Sequence, residues 1–243
     1  LPLHHVHGII NVMSCALWSG GCCEFVTKFD PKKIFEIFNR QQVNLFMAVP
    51  TIYFKLIAYY NTLNKKEKNL ITNSLKKFRL MVSGSAALPV SIMKQWKEIS
   101  GHTLLERYGM TEIGMAISNS YRNKRKPGYI GLPLNEVMIR IADEQNQSMD
   151  LGEKGEIQVQ GPNVFKEYWG KPESTAASFT KDGWFKTGDI AIFENAIVFL
   201  EYAKAKLKTN GTTGKRNDKL IFQSMFGLWP SLLRVLMSYL SKF

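Results

Sequence analysis

Along the first half of the chain, short apolar runs alternate with stretches whose hydrophobic residues recur every three to four positions. This is the pattern of an α/β layered domain. Residues 43–49 (VNLFMAV) read as a buried strand closed by Pro50. Thr51 is then placed to cap a helix that carries Tyr53, Leu56, Ile57 and Tyr60 on its apolar side. A lysine-rich helix or loop spans residues 64–77, and residues 79–82 form the next strand, ending in the small-residue turn 83–87 (SGSAA). Pro89 favours a helix start and Gly101 a stop. A short strand at 103–105 leads into Arg107, Tyr108, Gly109, Met110, Thr111 and Glu112.

From about Glu136 the pattern changes. Residues 137–141, 155–159 and 196–200 are strand-like and separated by Gly, Asn and Asp turns, which predicts a smaller β-rich subdomain. The expected organisation is therefore an α/β part over 1–135, a β-rich subdomain over 136–194, and a tail over 195–243. In that tail the alternation blurs after Ile192, a lysine-rich stretch follows, and residues 220–240 are apolar. Pro230 and Arg234 within that apolar stretch argue against a stable membrane span, leaving an amphipathic helix or an unrelated tail.

Composition changes this picture little. A chain of 243 residues with 45% hydrophobic and 21% charged residues can bury one core plus a small appended domain. The net charge of +12 raises the question of nucleic acid. The basic residues cluster in two runs, around 122–126 and 204–219, without the interleaved aromatics of a base-stacking platform, so no nucleic-acid partner is expected. Cys15, Cys22 and Cys23 form no Cys-x-x-Cys pair, so neither a zinc site nor a redox motif is supported, and buried free thiols are expected. The chain opens on Leu1 in mid-motif, with no signal peptide, and is read as a truncation.

Three segments carry candidate chemistry. The small side chains of Ser83, Gly84, Ser85 and Ala86 let backbone approach a flat ring closely, although strand-to-helix turns are often small for structural reasons alone. Tyr108, Gly109, Thr111 and Glu112 place an aromatic ring, a flexible glycine, a hydroxyl and a carboxylate within five residues. Such a set can stack on adenine, contact phosphate and hold a metal; a strand end with a structural tyrosine fits equally. In Lys186-Thr187-Gly188-Asp189 an acid follows a glycine turn, where a carboxylate can accept from both ribose hydroxyls.

In their order these motifs resemble the ANL superfamily of adenylate-forming enzymes. Residues 1–8 (LPLHHVHG) are similar to its histidine-containing segment beside the acyl pocket, 83–89 to its adenine loop, and 108–112 to its aromatic-Gly-x-Thr-Glu motif. Residues 155–161, with Tyr168 and Trp169 beyond, are similar to its Gly-Glu-strand-Gly stretch, and 187–189 to its ribose-binding Thr-Gly-Asp. Residues 4–8, 47–53 and 105–112 narrow the likeness to the malonate–CoA ligases, nearest to the mitochondrial ones of animals.

The resemblance implies a layered αβ adenylation-domain core, ATP, Mg2+ and coenzyme A as the small molecules used, malonate as the carboxylate, and the mitochondrial matrix as location. Ser83, Gly84, Ser85, Ala86, Tyr108, Gly109, Thr111 and Asp189 would bind nucleotide, Thr111 and Glu112 would be catalytic, and Glu112 would take the metal. His5, His7 and Arg107 would bind substrate; Lys55 is a weaker candidate. A guanidinium suits the second carboxylate of malonate, where a fatty-acid pocket would place a small or apolar residue; an arginine paired with Glu106 is the structural alternative. The family's phosphate loop and C-terminal lid domain are missing from this sequence, so the chain alone is expected to be inactive. Residues 209–215 (TNGTTGK) look like a phosphate loop but lie on the wrong side of every other motif. The competing readings are a medium-chain fatty acyl-CoA ligase and an inactive nucleotide-binding relic.

Overall fold

The computed structural model describes residues 1–194 and 197–200; the readings made for Ala196 and for residues 204–243 lie outside the described residues. Among the described residues two compact units are formed, one from Leu1–Tyr108 and Ser118–Tyr129, the other from Gly109–Ile117 and the described residues from Ile130 onward.

In the first unit a π-helix, His7–Ser14, runs into the short helix α1 (Cys15–Trp18). Helix α2 (Pro31–Asn39) starts where Asp30 accepts from the backbone N–H groups of Lys32 and Lys33, at 2.8 and 3.2 Å. Strand β1 (Leu45–Ala48), helix α3 (Pro50–Thr62), helix α4 (Lys65–Leu75), strand β2 (Leu80–Ser83), helix α5 (Val90–Ser100) and strand β3 (Leu105–Met110) follow. The three strands run parallel, with Leu45 opposite Leu80 and Ser83 opposite Glu106.

The helices bury Phe35, Phe38, Tyr53, Leu56, Leu75, Met93 and Trp96 together, each worth roughly 1.5–3 kcal/mol relative to exposure. Tyr53 donates its hydroxyl to the Val82 carbonyl at 2.8 Å, so a core aromatic from α3 also grips the end of β2. The other buried polar edge is matched too: the Trp96 indole N–H meets Met81 Sδ at 3.2 Å.

Helix α5 begins after Pro89 and ends at Gly101, whose φ of +77° supplies the left-handed cap that the sequence predicts. The uncertain stretch 64–77 is helical because Asn64 and Glu67 form a reciprocal capping box. Thr51, by contrast, is not a cap. Helix α3 starts two residues earlier, at Pro50, with Val49 as N-cap and no side-chain cap bond. Proline at the first position has no N–H to satisfy and a φ already suited to the helix. Strand β3 also exceeds its predicted end, continuing through Arg107 and Tyr108 to Met110.

The chain passes through β4 (Gly114–Ser118) and β5 (Tyr129–Pro133) before an antiparallel meander of β6 (Met138–Ala142), β7 (Lys154–Gln160), β8 (Phe185–Glu194) and β9 (Ile197–Leu200). Helix α6 (Pro172–Ser178) lies between β7 and β8. Phe165, Phe179 and Phe185 pack ring on ring at 5.4–5.6 Å between centroids. Thr187, Gly188 and Asp189 lie inside β8, where the β7–β8 register shifts and Gly188 takes a φ of +75°. The expected glycine turn is thus an irregularity within a strand. Cysteines are free as expected, but only Cys15 is buried; Cys22 is exposed and Cys23 half-buried, against the expectation of three buried thiols.

Candidate functional site

The first unit carries the loop that leaves β2. Ser83 and Gly84 are buried and Ser85 and Ala86 exposed. Ser85 holds a φ of +64°, uncommon for a residue with a Cβ. His7, buried at the start of the π-helix, reaches it: His7 Nδ1 is 2.5 Å from Ser85 Oγ. On the other edge of the ring, Arg107 Nη2 lies 3.4 Å from His7 Nε2 and 3.1 Å from Met47 Sδ. A guanidinium only donates, so His7 Nε2 accepts, Nδ1 carries the proton and Ser85 Oγ is its acceptor. Burial and, after it, the Arg107 charge push the His7 pKa down to about 3, so the imidazole stays neutral at physiological pH. A Cβ at Gly84 would lie 3.0 Å from the His7 ring and 3.4 Å from the Arg107 carbonyl, so a larger residue there would press on the His7 ring.

Arg107 is buried, with 8% of its surface exposed. Glu106, the neighbouring residue on β3, has its Oε1 accepting from the Leu88 N–H at 3.1 Å. Cys15, close enough to feel the Arg107 charge, has its thiol pushed up to about 11, chiefly by burial. It is therefore a packed thiol and not a nucleophile. His5 is exposed, its ring 4.3 Å from that of His4. Lys55 stands over the Phe29 ring at 5.7 Å. Of the three candidate substrate residues, the fold brings His7 and Arg107 together and leaves His5 on the surface.

The second unit begins at Gly109. A Cβ there would fall 2.0 Å from the Gly114 carbonyl oxygen, so the chain can double back only with glycine at this point. Thr111 and Glu112 sit in the turn that follows. That turn is held by a distant segment: the Phe165 N–H donates to the Glu112 carbonyl at 2.7 Å, and the Asn163 amide to the Ile113 carbonyl at 2.8 Å. Glu112 is buried; its Oε1 accepts from the Tyr168 hydroxyl at 3.0 Å, and its Oε2 has no hydrogen-bond partner among the described residues. One carboxylate oxygen fixed and the other buried and unsatisfied fits a single oxygen ligand for Mg2+, which takes one or two protein carboxylates and completes its shell with phosphates and water.

Asp189 is exposed on β8, and its N–H donates to Thr187 Oγ1 at 3.1 Å. Thr187 donates in turn to the Ile157 carbonyl at 2.7 Å, and the Gly188 N–H to Glu156 Oε1 at 2.8 Å. These bonds hold the irregular part of the strand, on which Asp189 is exposed. Tyr168, Glu156 and Asn163 thus support the candidate site without having been predicted as part of it. Tyr168 lies 56 residues from Glu112, and no local signal in the sequence joins them.

Residues 1–169 match the family of AMP-binding enzymes, and the chain belongs to that family. It is 46% identical over 226 residues to "Malonate--CoA ligase ACSF3, mitochondrial" of Bos taurus, an alignment covering 82% of this chain and 39% of that protein. It is 43% identical over 199 residues to the malonate–CoA ligase of Arabidopsis thaliana, covering 78% of this chain and 32% of the relative. Among solved structures it resembles ATP-bound MatB from Rhodopseudomonas palustris, with a TM-score of 0.75 and 37% identity over 82% of this chain and 38% of the other. It resembles equally a malonyl-CoA ligase ternary product complex with methylmalonyl-CoA and AMP bound (TM-score 0.75, 35% identity, 84% and 43% covered). The chain therefore spans about a third to two fifths of the length of these proteins, and the α/β adenylation-domain fold implied by the motifs is the one it adopts.

Proposed function

We propose that this chain carries the nucleotide- and acyl-binding segment of an AMP-forming malonate–CoA ligase of the mitochondrial matrix, acting in fatty acid metabolism. In this reading residues 1–135 are the α/β part of the adenylation domain and 136–194 its β-rich subdomain. A malonate oxygen attacks the α-phosphorus of ATP, the bond to pyrophosphate breaks, and malonyl-adenylate forms. The coenzyme A thiolate then attacks the acyl carbon and AMP leaves.

Ser83, Gly84, Ser85 and Ala86 pass beside the adenine, and Tyr108 stacks on it with Gly109 leaving room. Thr111 donates to a phosphate oxygen, and Asp189 accepts from the ribose hydroxyls. Arg107 holds the distal carboxylate of malonate, while His7, with one ring nitrogen on Arg107 and the other on Ser85, orients that guanidinium, and His5 lies nearby in sequence. Glu112 would be the protein ligand for Mg2+, which when bound neutralises charge on the phosphates. Positioning and charge neutralisation supply most of the acceleration.

The observation that carries the choice of malonate is Arg107, a guanidinium buried to 8% exposure beside a neutral imidazole. Such a group favours an anionic acyl end and disfavours a hydrocarbon one. The test is binding of two stable adenylate analogues, malonyl- and octanoyl-sulfamoyladenosine, to the wild-type chain and to R107L. The malonyl analogue is expected to bind wild type at least tenfold more tightly, and R107L to reverse the order. Equal binding of both, or no effect of R107L, would remove malonate in favour of a medium-chain acyl substrate.

A further inference from the structure

Residues 84–89 join β2 to α5, and one residue touches both Ser83 at the end of β2 and Leu88 near the start of α5. Glu106 is the sheet partner of Ser83 through its backbone. Its side-chain Oε1 accepts the Leu88 N–H at 3.1 Å, five residues further on. The backbone carbonyl of Glu106 is held from the far side, accepting from the N–H of Asn119 at 3.0 Å and from its side-chain amide at 3.3 Å. Asn119 is itself anchored by donating to the Tyr129 carbonyl at 2.6 Å. The side chain of Glu106 is buried, and its Oε2 has no hydrogen-bond partner among the described residues.

A buried carboxyl with one oxygen unsatisfied is costly to keep for packing alone; leucine or methionine would fill the space without desolvating a polar group. Its geometry has a use, because residues 84–87 between the two contacts form no regular backbone ladder and include Ser85 in the left-handed region. Closing the loop at both ends restricts a segment that would otherwise sample several conformations.

We propose that Glu106 is a positioning residue that clamps the 83–88 loop in the conformation needed to receive the adenine of the nucleotide. The proposal rests on the nucleotide-binding reading of that loop, while the clamp itself is a property of the free chain. Burial raises the Glu106 pKa to about 7, with the Leu88 N–H opposing the shift. Arg107, next along β3, projects to the opposite face of the strand from Glu106 and bonds His7 there. Either protonation state leaves Oε1 able to accept, but the ionised form holds the amide more strongly.

The experiment has two independent arms. In the free chain, amide exchange at Leu88 should accelerate at least tenfold in E106A relative to wild type, while Met81 and Val82 in β2 keep their protection. If E106A does not fold, the Leu88 amide proton shift of wild type, followed from pH 5 to 9, takes its place. It should titrate with a midpoint near 7 and stop titrating in E106Q. Unchanged exchange at Leu88, or a shift that titrates identically in E106Q, overturns the clamp. In the second arm AMP affinity is measured: E106Q, whose amide oxygen still accepts from Leu88, should stay within twofold of wild type, and E106A should weaken about tenfold. An E106A protein that binds AMP as tightly as wild type overturns the positioning role. If wild type itself fails to bind AMP, the nucleotide reading of the loop falls and the positioning role with it, while the first arm still decides the clamp.

Discussion

Removing the Tyr168 hydroxyl should weaken the chain through one buried carboxylate. Tyr168 Oη is 3.0 Å from Glu112 Oε1 and is the donor that this carboxylate has among the described residues, since Oε2 has none. In Y168F a buried, charged acceptor loses its partner without a change in ring packing, so the loss is that of a hydrogen bond to a charged group, about 1.5–3 kcal/mol. In the E112Q background the same ring change removes only a neutral hydrogen bond, worth about 0.5–1.5 kcal/mol. The double-mutant cycle Y168F/E112Q should therefore give a coupling energy of about 1 kcal/mol. Urea unfolding of the four proteins measures it. In thermal unfolding Y168F should melt roughly 3–12 °C lower, using 2–4 °C per kcal/mol for a chain of this size. A coupling energy indistinguishable from zero, with Y168F within 0.5 kcal/mol of wild type, would mean that Tyr168 does not hold Glu112. The proposed orientation of the Mg2+ ligand would then lose its support.

Other outcomes follow from single positions. G109A places a Cβ 2.0 Å from the Gly114 carbonyl oxygen and 3.0 Å from the Met115 Cα, both backbone atoms that cannot swing aside. It should lose about 1–3 kcal/mol or more, read from the urea midpoint, and a loss below 0.5 kcal/mol would contradict the close approach. Glu106 and His7 make opposite contributions to stability against pH. The Glu106 pKa is about 7 folded against 4.5 unfolded, so its stabilisation is full below pH 4.5 and is lost as pH rises through 7. That of His7 is about 3 folded against 6.5 unfolded, so its stabilisation is full above pH 6.5 and is lost as pH falls through 3. Each amounts to on the order of 3–5 kcal/mol across its window. Between pH 4.5 and 6.5 the two slopes oppose. E106Q should therefore lose stability more steeply than wild type on acidification, and H7Q should lose it more steeply on alkalinisation. Urea unfolding from pH 4.5 to 8 that shows parallel slopes in all three proteins would refute both assignments.

Much of the architecture was legible because its causes are local. Helix α5 runs between Pro89 and Gly101, one favouring a helical start and the other a left-handed stop, and both effects act within a residue or two. The apolar spacing of Tyr53, Leu56 and Ile57 placed them in the core, where all three are buried. The ordered motifs from residue 1 to 189 were enough to identify the adenylation-domain fold. Misreadings came where local signals were balanced. Thr51 and Pro50 both suit a helix start, and the proline prevails because it needs no cap. The Gly188 signal was read as a turn, but sheet pairing with β7 absorbs it into β8.

What the tertiary structure alone decided is which side chains meet. His7 reaches Ser85 across 78 residues and Arg107 across 100, Glu106 reaches Leu88 across 18, and Tyr168 reaches Glu112 across 56. None of these pairs has a period or a spacing to reveal it. Each depends on where packing of the apolar positions brings the backbone, so the sequence by itself named the reactive residues, while the neutral imidazole, the clamped loop and the half-satisfied carboxylate exist only once the core has closed around them.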